Sequence, residues 1–313
     1  MKKFDITALG EILIDMTYAG KSESGQTLFE QNPGGAPANV LSAASRLGGR
    51  CAFIGKVGKD MHGEFLVNVL KNEGISTEGT LTDDKYFTTL AFVNLDEKGE
   101  RSFSFARKPG ADIQLCEAEI RFDIIDESKI FHVGSLSLTD EPARSATLKA
   151  LSHAKEKGLI ISYDPNYRAP LWESEAKAIE GMKSILCYVD IIKISDEETK
   201  LLTGFKDEVE ASEALIEMGI KTVIVTLGEK GAVVRNKDGY VYSAAQKVTA
   251  VDTTGAGDAF MGGFLYKVAQ SGKREFTLDE IKTFADFANK VAGYSVQKRG
   301  AINAMPSIDK VEN

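Results

Sequence analysis

From residue 129 onward the chain alternates strand-like and helix-like stretches, and this beat restricts the fold more than any other feature. Apolar, β-branched runs at 130–133, 159–163, 191–194 and 222–226 read as strands, and the stretches at 172–186 and 196–218 read as helices. A further helix after 133 carries Pro142 in its first turn, where a missing N–H costs little. A hairpin at 231–243 turns near Lys237-Asp238-Gly239, and helices at 256–270 and 278–296 follow. Strands separated by helices are satisfied when they lie parallel with helices over both faces. The expected class is α/β, in three layers α/β/α around a mostly parallel central sheet.

The first third adds strands at 4–9, 12–16 and 26–31. A helix then places Val40, Ala43, Ala44 and Leu47 on one face and stops at Gly48-Gly49. Residues 87–107 interrupt the α/β pattern. Two β-rich runs, 87–94 and 101–107, are joined by Asp96-Glu97-Lys98-Gly99, and Phe103 and Phe105 alternate with Ser102, Ser104 and Ala106. They predict a small sheet standing off the main body, a β lid built from about 12–32 and 86–108 within a single domain over 1–313. No internal repeat, low-complexity stretch or linker divides the chain.

Length and charge narrow the function classes. A chain of 313 residues with 43% hydrophobic residues buries a large core without disulfides or metals. The net charge of −8, with no basic run, argues against nucleic-acid partners and against docking on anionic membranes. No apolar run approaches the ~20 residues a membrane span needs. Asp5, Glu11 and Asp15 interrupt the beginning, against a signal peptide, so a cytoplasmic location is expected. Cys51, Cys116 and Cys187 are far apart and are expected to be buried reduced thiols. His62, His132 and His153 are equally scattered, with no nucleophile–base pattern around them. The chemistry must come from carboxylates, glycines and backbone.

The most informative run is Asp252-Thr-Thr-Gly-Ala-Gly-Asp-Ala-Phe-Met-Gly-Gly-Phe264. A glycine-rich turn entering a helix presents unsatisfied N–H groups and the positive end of the helix dipole, which together form an anion site. Asp258 would lie in the first helical turn. A carboxylate there can take a proton from a substrate hydroxyl while the amides of Gly255, Ala256 and Gly257 hold a phosphoryl group. The same residues could equally cap a helix and form a tight turn. The run is not a dinucleotide fingerprint, because Phe260 stands at the third glycine position. Nor is there a Walker A loop: Gly55-Lys56 is followed by Val57, and Gly20-Lys21-Ser22 has Asp15 at the first glycine position.

Residues 252–264 resemble the C-terminal signature of the ribokinase/PfkB carbohydrate kinases. Gly34-Gly-Ala-Pro-Ala-Asn39-Val40, with Leu47-Gly48 after it, resembles their N-terminal signature. Two signatures in the right order are far more specific than either alone, and the resemblance covers essentially the whole chain. It is greatest to the fructokinases, through Arg101–Asp112, Phe131–Leu138, Ser162–Arg168 with Pro170-Leu171-Trp172, Lys193–Glu198 and Lys298–Pro306.

The resemblance implies a ribokinase-like fold and ATP-dependent phosphorylation of a sugar hydroxyl, most like D-fructose to D-fructose 6-phosphate, with Asp258 as base. Related kinases of 2-keto-3-deoxygluconate or ribose are the nearest alternatives, and a non-catalytic sugar or nucleotide sensor on the same fold is a more distant one. Asp15, Gly34, Gly35, Asn39, Phe105, Arg107, Asn166 and Arg168 would meet the sugar or the transferred phosphate. Ser195, Thr226, Gly228, Gly231 and Asn289 would bind ATP. Asp164 and Glu198 would hold Mg²⁺ through its water shell, and Ser195 and Glu198 could also form a helix-capping pair. The family often has Asn at the position of Ser195. A K⁺ ion would be held by carbonyls at Asp252, Thr254, Ser295, Lys298, Gly300 and Ala304. The implied partners are small molecules and a second copy of the chain, joined through the β lid.

Overall fold

A computed structural model describes residues 2–95 and 101–312. Its strands are β1 (Phe4–Leu9), β2 (Leu13–Lys21), β3 (Thr27–Gly34), β4 (Cys51–Gly58), β5 (Ser76–Asp83), β6 (Leu90–Leu95), β7 (Arg101–Ala106), β8 (Ser128–Gly134), β9 (Ile160–Asp164), β10 (Ile191–Ser195), β11 (Thr222–Thr226), β12 (Gly231–Asn236) and β13 (Gly239–Ala244). Its helices are α1 (Ala36–Arg46), α2 (Met61–Asn72), α3 (Phe122–Asp126), α4 (Ala143–Glu156), α5 (Glu175–Lys183), α6 (Asp196–Thr203), α7 (Glu208–Glu217), α8 (Ala256–Ser271), α9 (Leu278–Ser295) and α10 (Ile308–Glu312).

Among the described residues nine strands form one sheet in the order β13-β12-β11-β10-β9-β8-β1-β4-β5. Pairing is parallel from β11 to β5, and β12 and β13 close the other edge antiparallel. β1 and β4 are buried along their whole length, as strands covered on both faces must be. One face packs Val40, Leu41, Phe260 and Phe264 from α1 and α8, and the other packs Leu151, Met182, Leu202 and Leu215 from α4 to α7. The expected three-layer α/β/α class is the observed one. The segment from β4 through α2 to β5 extends the sheet beyond the strands that the sequence pattern singled out. The helix expected at 172–186 is shorter, because Ser174 caps α5 by accepting from the Lys177 amide.

A second sheet of four strands, ordered β3-β2-β6-β7, stands apart from the first. β2 pairs antiparallel with β3 and parallel with β6, and β6 and β7 are antiparallel. The turn expected at 96–99 lies outside the described residues. β3 is an edge strand with Leu28 and Phe29 exposed on its two faces.

Among the described residues no helix is long and apolar enough to cross a membrane. All three cysteines are free thiols, but only Cys51 is buried. Cys116 and Cys187 are exposed, against expectation, because each lies in a short turn outside the sheet layers, at Glu117–Glu119 and Leu186–Tyr188.

Candidate active site

In an open α/β sheet the chain leaves each parallel strand at its C-terminal end, and the loops there can converge on a ligand. Asp164 ends β9, Ser195 ends β10 and Thr226 ends β11, so three expected residues reach one rim. The N-termini of α1, α6 and α8 face the same rim. They enclose a cleft of about 490 Å³. Of the expected residues, Asp15, Gly35, Asn39, Phe105, Asn166, Arg168, Asp164, Ser195, Glu198, Thr226, Gly228, Thr254, Gly255, Ala256, Gly257 and Asp258 line it.

Asp258 is the third helical residue of α8, after Gly255 in left-handed conformation at φ 75°. A Cβ at Gly255 would come within 2.7 Å of the Ala301 methyl, so both backbone and space call for glycine there. The Gly255 and Gly257 N–H groups have no backbone acceptor among the described residues. The Ala256 N–H, expected to join them, instead donates to the Thr253 carbonyl at 3.2 Å. Its turn bond forms because Gly255 folds the chain back on residue 253. The anion cradle is thus narrower than the sequence suggested.

The Asp258 carboxylate is gripped from two other elements. Asn39 Nδ2, in the first turn of α1, donates to Oδ2 at 2.8 Å, and Asn166 Nδ2 donates to Oδ1 at 3.1 Å. Asn166 sits at φ 47°, a left-handed conformation that asparagine tolerates better than most side chains. Burial, and after it the charge of Asp164, raise the Asp258 pKa to about 6 against the lowering by Asn39, Lys193 and Arg168. The result is a carboxylate poised close to neutrality at the mouth of a helix dipole.

Beneath Asp258 lies Lys193, which sequence reasoning did not single out. Its Nζ is 2.9 Å from Asp164 Oδ2, and a Cβ on Gly257 would approach that ammonium to 3.2 Å. The two groups form an ion pair by distance, yet neither Asp164 oxygen meets a well-aligned donor. Burial works against the Lys193 charge, but Asp164, Glu198 and Asp258 outweigh it and lift its pKa above the usual lysine value. The available signal was a lysine inside the apolar strand Ile191-Ile-Lys-Ile-Ser195, since lysine is almost never buried unless paired.

Glu198 forms the capping pair with Ser195 that was the structural alternative. Its Oε2 accepts from the Ser195 amide at 2.8 Å and hydroxyl at 3.1 Å, and its Oε1 accepts from the Tyr167 amide at 2.7 Å. It therefore ties α6 to the loop that carries Asn166 and Arg168. Gly34 lies behind the cleft, where a Cβ would collide with Asp15 Oδ2. At Gly35 (φ 106°) a Cβ would meet the Glu11 carbonyl at 2.6 Å.

Arg107 does not line the cleft. Its guanidinium is buried, with Nε 2.7 Å from Asp112 Oδ2, Nη1 donating to Thr139 Oγ1 and Nη2 to the Leu136 carbonyl. Asp112 lies five residues on and folds back against it, so the arginine pins the small sheet to the body. Gly231 and Asn289 also lie outside the cleft. Gly231 (φ 108°) permits close approach to Ser243, and Asn289 Nδ2 donates to the Ser243 carbonyl and hydroxyl. Among the remaining expected positions, Asp252 Oδ1 accepts from the Thr254 amide and hydroxyl, and Oδ2 accepts from the Gly300 amide. The Ser295 carbonyl accepts from the Lys298 amide, and the Ala304 amide donates to the Ala301 carbonyl. Apart from Thr254, which lines the cleft, these residues gather beside the start of α8 and outside the cleft.

The sequence profile described as pfkB family carbohydrate kinase matches residues 3–308. Fructokinase-2 of Oryza sativa subsp. japonica is 44% identical over 306 residues, which cover 97% of this chain and 91% of that protein. Among solved structures, a double mutant of the fructokinase from Vibrio cholerae O395, bound to fructose, ADP and potassium, superposes with a TM-score of 0.89. It is 32% identical and covers 100% of this chain and 98% of its own. An E. coli protein assigned as a ribokinase II, in complex with ATP and Mg²⁺, gives a TM-score of 0.87 at 27% identity, over 99% and 98% of the two chains.

Proposed function

The chain belongs to the pfkB family of carbohydrate kinases, and from that premise we propose that it transfers the γ-phosphoryl group of ATP to the 6-hydroxyl of D-fructose. The observation that carries the reading is the Asp258 carboxylate. It is buried on the floor of the cleft, fixed by Asn39 and Asn166, and adjacent to two unengaged backbone amides. The sugar lies at the end lined by Asp15, Gly35, Asn39 and Phe105, and the nucleotide at the end lined by Ser195, Thr226 and Gly228. Asp258 accepts the hydroxyl proton, and the oxygen attacks the γ-phosphorus in line. The Gly255 and Gly257 amides and the Arg168 guanidinium stabilise the charge that spreads over the transferring group. The small sheet acts as a lid over the sugar and limits attack by water.

Asp164 and Glu198 offer hard oxygen donors at the nucleotide end. Asp164 Oδ1, which has no hydrogen-bond partner among the described residues, fits a hydrated divalent cation, while Oδ2 faces the Lys193 ammonium. The two carboxylates would hold Mg²⁺ through its water shell, where it neutralises phosphate charge. A K⁺ ion would lie among carbonyls of the segments that Asp252 draws together.

Fructose is supported over an acidic sugar by Arg107, since one of the two arginines that could serve a carboxylate substrate is already committed to Asp112. The test is coupled ADP release with ATP and Mg²⁺ on a panel of D-fructose, D-ribose and 2-keto-3-deoxygluconate, with the phosphorylated position read by NMR. The expected result is fructose 6-phosphate as the leading product. Preference for another sugar overturns the fructose assignment, and no sugar-dependent ADP release overturns the kinase.

We extend the reading to a cytoplasmic homodimer, supported by three free thiols and by the exposed Tyr18, Leu28 and Phe29 of the small sheet. Sedimentation should give a dimer that Phe29→Glu returns to a monomer; a wild-type monomer rejects the pairing.

A further inference from the structure

Glu11, in the turn between β1 and β2, has no part in the chemistry above. It is 2% exposed, yet the residue lines the cleft beside Leu13, Asp15, Gly35 and Asn39. Oε1 accepts from the Ala36 amide at 2.9 Å. That bond has a structural explanation, because Gly35 offers no side chain to cap α1 and a carboxylate from elsewhere takes over the duty. A cap uses one oxygen. Oε2 is buried and has no hydrogen-bond partner among the described residues. An unmatched buried carboxyl oxygen is costly, and in a binding cleft it marks a place where a ligand supplies the missing partner.

We propose that Glu11 is a specificity-determining, sugar-binding residue whose Oε2 bonds a hydroxyl of the sugar other than the one Asp258 deprotonates. The proposal rests on the sugar-kinase reading above and adds a contact to it. Burial, helped by the charge of Asp112, raises the Glu11 pKa to about 7 against the lowering by its own backbone amide, by Arg107 and by the Ala36 amide. Both protonation forms serve, because a hydroxyl donates to a carboxylate and accepts from a carboxylic acid.

The experiment compares wild type, Glu11→Gln and Glu11→Met by calorimetric sugar binding and by turnover, with D-fructose and its single-deoxy analogues. Glu11→Gln keeps an oxygen for the Ala36 amide and preserves the cap. Glu11→Met removes both contacts. Loss of a hydrogen bond to a charged or buried partner predicts weaker fructose binding by about 10- to 100-fold in Glu11→Met, with the ATP KM within about twofold. One deoxy analogue should be penalised by wild type and not by Glu11→Met, and its penalty should also change in Glu11→Gln. Should Glu11→Met fail to fold, the analogue pattern of Glu11→Gln decides. An unchanged pattern, or an equal loss for every analogue, overturns the contact and leaves Glu11 a helix cap. Wild type that neither binds nor phosphorylates any sugar sinks the kinase reading itself, a result distinct from wild type that turns over fructose while both variants bind it normally.

Discussion

Replacing Asp258 by Asn lowers kcat by a factor of about 10²–10⁴, the usual contribution of a general base, or about 3–5 kcal/mol of barrier. Sugar and nucleotide affinities stay within a few-fold. The substitution keeps size and one acceptor oxygen, so the bond from Asn39 can persist, and the helix dipole still meets a polar group. What is lost is the capacity to take a proton. Wild-type kcat/KM should rise with pH through about 6, the value to which burial and Asp164 lift this carboxyl, and then level off. The sign follows from the role: the base works ionised, so activity falls as protonation sets in below that pH. Single-turnover kinetics and a pH series check both statements. Were Asp258 only a cap, Asn, which caps equally well, would leave kcat near wild type and cost little stability.

Replacing Lys193 by Met should cost about 3–5 kcal/mol of folding stability, the typical penalty for removing one partner of a buried ion pair. The Lys193 side chain is 6% exposed and that of Asp164 1% exposed, so water cannot take the place of the lost ammonium. Asp164 then stands as an uncompensated buried anion close to Asp258. The same change removes a positive charge that holds the Asp258 pKa down, so the acidic limb of the pH–activity profile moves to higher pH. Urea unfolding measures the first effect and kcat/KM against pH the second. Loss of stability with an unmoved acidic limb would show that Lys193 serves the fold alone. Unchanged stability would show that the ion pair contributes little, and the account of this site would be wrong.

Much of the architecture is legible locally. The strand-and-helix beat after residue 129 has the periods of its elements, and the glycine turn before α8 needs the backbone freedom that only glycine gives at 255. The Ser195–Glu198 capping pair is a spacing rule within four residues. The β4–α2–β5 segment is harder to read along the chain, because β4 is buried along its whole length and so lacks alternation, while β5 is a largely polar edge strand. Arg107, which the resemblance sets against the sugar or the transferred phosphate, lies outside the cleft because the fold supplies Asp112, Thr139 and Leu136 as partners and turns it inward.

By itself, then, the sequence determined most of the elements outside the β4–α2–β5 segment, the helix mouth at Gly255–Asp258 and the family signatures, because propensity, periodicity and turn chemistry act over a few residues. Tertiary structure alone decided what surrounds the reactive carboxylate. Asn39 reaches Asp258 across 219 residues and Asn166 across 92. Lys193 and Glu11 became site residues only when packing closed over them. Proton affinity and ion pairing depend on desolvation and on charges a few ångströms away through space, and no pattern of neighbours along a chain contains those distances.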